Sequence, residues 1–143
     1  LPAQKVLFAG DLVESNTAPS CGEAYIQDWL KTLSAVRNFH AETLVPGRGP
    51  VVEGVGVKSA IDDTQRYLTL LRDTVRSAIQ RDASISDTYR YVEAALSPQF
   101  GGWYIFKHVL PFNVQRAYDE LSGARPRIWT EVRDNKLWQS LVR

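Results

Sequence analysis

The chain has 143 residues, 44% hydrophobic and 23% charged, with 17 basic against 16 acidic side chains and a net charge of +1. That composition suits one ordinary globular domain with enough chain for a core, and the charge balance gives no bulk electrostatic case for nucleic acid or an anionic membrane. No apolar run approaches the roughly 20 residues a membrane-spanning helix needs, and Cys21, the only cysteine, excludes an internal disulfide and a cysteine-based zinc cluster.

Residues 5–9 (Lys-Val-Leu-Phe-Ala) form an apolar run too short for a helix and closed by Gly10-Asp11, which predicts a buried strand. Residues 14–20 are polar, include Pro19 and read as a loop. From Cys21 to Phe39 the apolar side chains Ile26, Trp29, Leu30, Leu33 and Val36 recur at steps of three and four, the period of a helix with one buried face. Thr43-Leu44-Val45 predicts a second short strand, stopped by Pro46-Gly47. Gly47, Gly49 and Pro50 around Arg48 require a tight turn, and Val51-Val52 predicts a third short strand.

The strongest helical pattern covers 58–81, with Ile61, Leu68, Leu71, Val75 and Ala78/Ile79 as its apolar stripe. Asp62 and Asp63 fall in its first turns, Arg76 and Arg81 in its last, and Asp62 with Arg66 is expected as an i, i+4 pair. A further helix is expected from Ser86 as N-cap to Leu96, broken by Pro98 through Gly102. Trp103-Tyr104-Ile105-Phe106 fits either strand or helix. Asn113 is expected to cap a helix carrying Val114, Tyr118 and Leu121 and ended by Gly123. The tail from Arg125 shows no decisive pattern. Strand, helix, strand and then several helices predicts an α/β layer followed by a helical extension, an α+β chain.

Two residues carry the chemical question. Asp11 ends a buried strand directly after a glycine. A carboxylate on rigid backbone there suits zinc, manganese or iron, while the alternative is a turn carboxylate bonding nearby backbone N–H groups. Arg48 stays protonated and has no lone pair, so it cannot ligate a metal. It reads either as an anchor for a carboxylate or phosphate, or as one half of an ion pair with Asp11. His40 and His108 lack partners at ligand spacing and read as solvated or core-edge residues. Cys21 is placed at the opening of a helix with no nucleophile partner, and Ser15 and Ser20 have no identifiable base. Arg125 and Arg127 beside Trp129 are diluted by Glu131 and Asp134. The aromatic set Trp103, Tyr104, Phe106 and Phe112 reads as core, with a pocket or an interface between copies as the alternative.

The run Lys5-Val-Leu-Phe-Ala-Gly-Asp11, the helix with Trp29, Leu30 and Leu33, the turn Leu44-Val-Pro-Gly-Arg48-Gly-Pro50 and the helix with Arg66-Tyr67-Leu68 occur in the order seen in the metallo-β-lactamase superfamily, and this chain resembles it. Pro111-Phe-Asn-Val-Gln-Arg-Ala-Tyr-Asp-Glu-Leu121 resembles the helical C-terminal part of one branch, the zinc hydrolases related to sulfur-oxidation and quinoprotein-linked proteins. The resemblance implies an αββα sandwich, of which residues 1–57 are the second half and 58–143 a helical C-terminal extension. It implies that Asp11 descends from a metal-bridging ligand and that Arg48 stands where a ligand histidine is usual. The upstream His-x-His-x-Asp-His loop, which supplies most ligands, has no counterpart in these residues.

The function so implied is that of the C-terminal portion of a zinc hydrolase acting on an ester, thioester or amide, not catalytic by itself. The alternative is a non-enzymatic, degenerate module for partner binding or oligomerisation. Zinc is expected in a complete parent protein and not in this chain alone. The expected partners are the upstream half of the same fold or a second copy, with neither nucleic acid nor membrane. A chain without methionine that opens Leu1-Pro2-Ala3-Gln4 is expected to be a processed product or a piece of something longer.

Overall fold

The computed structural model describes residues 1–127 and 130–142. Among them are three short strands and five α-helices, an α+β arrangement. The strands β1 (Val6–Gly10), β2 (Thr43–Pro46) and β3 (Val52–Glu53) lie in that order in one mixed sheet. β1 and β2 are parallel, so the chain must cross over between them, and helix α1 (Ile26–Val36) supplies the crossover. β3 returns antiparallel to β2.

Strand periodicity decides which side of the sheet is buried. Leu7, Leu44 and Val52 fall in register on one face and join the core, Leu44 completely. Phe8 and Val45 pair on the opposite face, where Phe8 remains 65% exposed.

Behind the sheet stands α2 (Val55–Ile79), 25 residues long, whose predicted stripe is fully or nearly buried at Ile61, Leu68, Leu71, Val75 and Ala78. Helices α3 (Ile85–Phe100) and α4 (Phe106–Leu121) pack against it, and α5 (Glu131–Leu141) lies across α3 and α4. Tyr67 of α2 is the hub: its ring meets Phe100 at 5.3 Å, Trp103 at 6.4 Å and Phe106 at 6.4 Å. One continuous hydrophobic cluster runs from Val13 and Leu44 through α1 and α2 to Val114 and Leu141.

Several local expectations are corrected. Cys21 lies in the loop before α1, which starts only at Ile26. Asp62 pairs with Lys58 at 2.5 Å and with Arg37, rather than with Arg66, because Arg37 enters from the end of α1. Ser84, not Ser86, caps α3. Its backbone is extended and its hydroxyl accepts the Asp87 N–H at 3.1 Å, while Ser86 is already inside the first turn. Pro98 sits within α3 instead of ending it, and the helix continues for two more residues to bury Phe100 completely. Asn113 is no cap either. α4 begins at Phe106, runs through a buried Pro111, and leaves Asn113 in its interior facing the loop at Pro19–Cys21. Trp103 and Phe106 are core-facing residues at the turn into α4, whereas Tyr104 is 71% exposed. Trp129 lies outside the described residues.

Candidate functional site

Two parallel neighbouring strands deliver their C-terminal ends to the same edge of the sheet, so the loops after β1 and β2 meet there. Gly10 closes β1 with φ +53°, and Asp11 follows. The turn after β2 comes so close that its glycines are obligatory. A Cβ on Gly47 would stand 2.3 Å from Asp11 Oδ1 and 2.7 Å from the Asp11 nitrogen. One on Gly49, whose φ is +91°, would stand 1.8 Å from the Ser15 carbonyl oxygen. The backbones are stapled directly: Gly47 N–H donates to Gly10 O at 2.7 Å, and Ser15 N–H to Arg48 O at 3.2 Å.

Arg48 reaches across this junction to two carboxylates. Its Nη1 donates to Glu14 Oε1 at 2.7 Å, and its backbone N–H donates to Glu14 Oε2 at 2.8 Å. Its Nη2 donates to Asp11 Oδ2 at 3.3 Å. The Asp11–Arg48 contact is thus present, but it is the longer and more solvated of the two, since the Asp11 side chain is 68% exposed and that of Glu14 is 0% exposed.

Glu14 is the residue that sequence reasoning missed. It lies in a stretch whose polarity reads as solvated loop, and no spacing rule marks one carboxylate there as buried. It is held from behind by Thr64 of α2, whose hydroxyl accepts the Glu14 N–H at 3.3 Å and bonds back to α2 at Ala60 O. Burial is the largest influence on its proton affinity and pushes the carboxyl from 4.5 up to about 7. The charge and donors of Arg48 oppose that rise, and the negative charge of Asp11 adds to it.

Asp11 and Arg48 open onto a cleft of about 690 Å³. Its far side is built by α4 and α5, with His108, Phe112, Arg116, Arg133 and Leu137 among the lining residues. His108, Phe112 and Trp138 form a ring cluster with centroids 5.6 to 6.3 Å apart. Arg116 is almost completely buried. Its Nε donates to Ala24 O at 2.6 Å, its Nη1 to Ala124 O at 3.1 Å, and its Nη2 contacts Glu120 at 3.4 Å. Glu120 in turn accepts the Ile26 and Gln27 N–H groups at 2.7 and 3.0 Å. It therefore serves the orphan donors at the start of α1, whose own N-cap Tyr25 makes no side-chain cap bond.

Asn113 ties the same loop to the core. Its Oδ1 accepts the Cys21 N–H at 2.7 Å, and its Nδ2 donates to Pro19 O at 2.7 Å and to the Tyr67 hydroxyl at 3.0 Å. Cys21 is fully buried, and burial raises its thiol well above the ordinary range, which opposes a thiolate. Ser15 is buried and engaged through its backbone, Ser20 borders the cleft, and His40 is exposed at the end of a short 3-10 turn.

The donors at the loop junction do not fit a catalytic zinc. Both Glu14 oxygens already accept from Arg48, the nearest group to Asp11 Oδ2 across the turn is a guanidinium, and no group of three or more His, Cys, Asp or Glu gathers among the described residues. No protein-family model matches the chain, and no curated protein matches it.

Proposed function

We propose that this chain is the C-terminal portion of a metallo-β-lactamase-like protein whose metal site, on this side, has been replaced by an arginine–carboxylate cluster, so that the chain by itself does not catalyse hydrolysis. The observation that carries the reading is the guanidinium of Arg48 lodged between Glu14 and Asp11 at the joined ends of two parallel strands. A positive side chain there neutralises Asp11 as a metal would, but offers no Lewis acidity and no ionisable water. Zinc hydrolysis belongs, on this reading, to a complete parent whose upstream half brings the remaining ligands.

Elemental analysis after dialysis against zinc is the test. Less than about a tenth of an equivalent per chain is expected, because one exposed carboxylate beside a cation holds zinc weakly. Stoichiometric zinc, with hydrolysis of an ester or thioester, would overturn the reading.

A second function is supported by the sheet. Phe8 stands exposed beside Val45 on the face away from the helices, and β1 lies at the sheet edge. An apolar sheet face of that kind suits association with the upstream half of the fold or with a second copy. The chain then serves as a partner-binding or oligomerising module.

A further inference from the structure

We propose that the Glu14–Arg48 clasp is a proton-operated latch: when Glu14 takes up a proton, Arg48 releases the buried carboxyl and turns toward Asp11 and the cleft.

Protonation removes the charge that holds the clasp together. Both Glu14 oxygens face N–H donors, the backbone N–H of Arg48 at 2.8 Å and its Nη1 at 2.7 Å. A protonated carboxyl carries no charge for the guanidinium to answer, and its hydroxyl oxygen is a weaker acceptor than a carboxylate oxygen. The backbone N–H is fixed, because Gly47 and Ser15 staple the turn to the β1 loop on either side. The guanidinium is the free party. Its side chain is 35% exposed, and a second, solvated carboxylate, Asp11, already lies 3.3 Å from Nη2. Leaving Glu14 therefore costs Arg48 one bond and keeps another.

The charged groups acting on the Glu14 carboxyl are Arg48, from the turn after β2, and Asp11, from its own loop. From α2 it meets the neutral Thr64 hydroxyl, which bonds the Glu14 backbone rather than the carboxyl. The cleft into which the guanidinium turns is lined by His108, Arg116, Arg127, Arg133, Glu23, Asp119 and Asp134. Burial sets the proton uptake of Glu14 at about 7, so the latch works within the physiological range. The latch stands on these contacts and does not rest on the family reading. The titration is run on the metal-free chain, so zinc binding measured separately would sink that reading and leave this test as it stands.

The experiment is an NMR titration of the intact chain from about pH 5 to about pH 9, following the Glu14 carboxyl carbon, the Arg48 amide and the Arg48 Nε–H. All three are expected to share one midpoint near 7. In Glu14→Gln both Arg48 signals should stay near their low-pH wild-type positions throughout. Asp11→Asn should lower the Glu14 midpoint, by removing a like charge and freeing Arg48 for Glu14. A Glu14 midpoint near the ordinary 4.5 overturns the latch. So does a Glu14 titration that leaves the Arg48 side-chain signal unmoved, or an Arg48 inflection that persists in Glu14→Gln.

Discussion

Replacing Arg48 with methionine retains most of the side chain's length and removes its charge, which isolates what the guanidinium does for Glu14. In the wild type, burial carries the Glu14 carboxyl from 4.5 to about 7 even with Arg48 in place. At about 1.4 kcal/mol per pH unit, ionising it inside the fold costs about 3 kcal/mol. Without the guanidinium the carboxyl binds its proton more tightly still, so its midpoint moves above 7.

The sign follows from counting protons. Between 4.5 and about 7 the native wild type holds a proton that the unfolded chain has lost, so its stability falls as pH rises, and the variant falls in parallel. Above about 7 the wild-type native state has lost that proton too, and its curve levels. The variant still holds one, and continues to lose about 1.4 kcal/mol per pH unit until its own midpoint. The stability gap between the two proteins is therefore constant on the acid side of 7 and widens on the alkaline side. Urea unfolding of both at about pH 6, 7, 8 and 9, with m-values checked for constancy, reads this directly. A gap of equal size at the two ends of that range would show that Arg48 is not the counter-ion of a buried, titrating Glu14.

Asn113→Ala leaves the Cys21 N–H, the Pro19 carbonyl and the Tyr67 hydroxyl without their buried partner, and is expected to cost about 3–5 kcal/mol in chemical denaturation. Tyr67→Phe, which removes one of the three bonds, is expected to cost about 1 kcal/mol. Gly49→Ala drives a Cβ into the Ser15 carbonyl from a backbone at φ +91°, so a loss above about 2 kcal/mol is expected from the thermal midpoint. Arg48→His is expected to raise zinc affinity only when an upstream half with further ligands is supplied; by calorimetry, a gain in the chain alone would contradict the donor count. Sedimentation is expected to show a dimer or larger species through the Phe8 face, and a monomer at high concentration would remove the basis for self-association.

Much of the framework was legible along the chain. The stripe of α2, the three strands within a residue or two, and the tight turn at Gly47-Arg48-Gly49-Pro50 all follow from local periodicity and turn chemistry. Asp11 and Arg48 stand out because a strand-ending carboxylate and a glycine-flanked cation are conspicuous in one dimension. Glu14 does not stand out, and Asn113 suggests a cap it does not make, because their roles are set by segments far away in sequence. Thr64 lies 50 positions from Glu14, and Cys21 lies 92 from Asn113. Hydrophobic period and backbone propensity are properties of neighbours, so the chain alone places the three strands, α1 and the long α2. Whether a polar group is dehydrated depends on which distant surfaces close over it. Only the folded packing decided that the carboxylate chiefly bound by Arg48 is the buried Glu14 rather than the solvated Asp11.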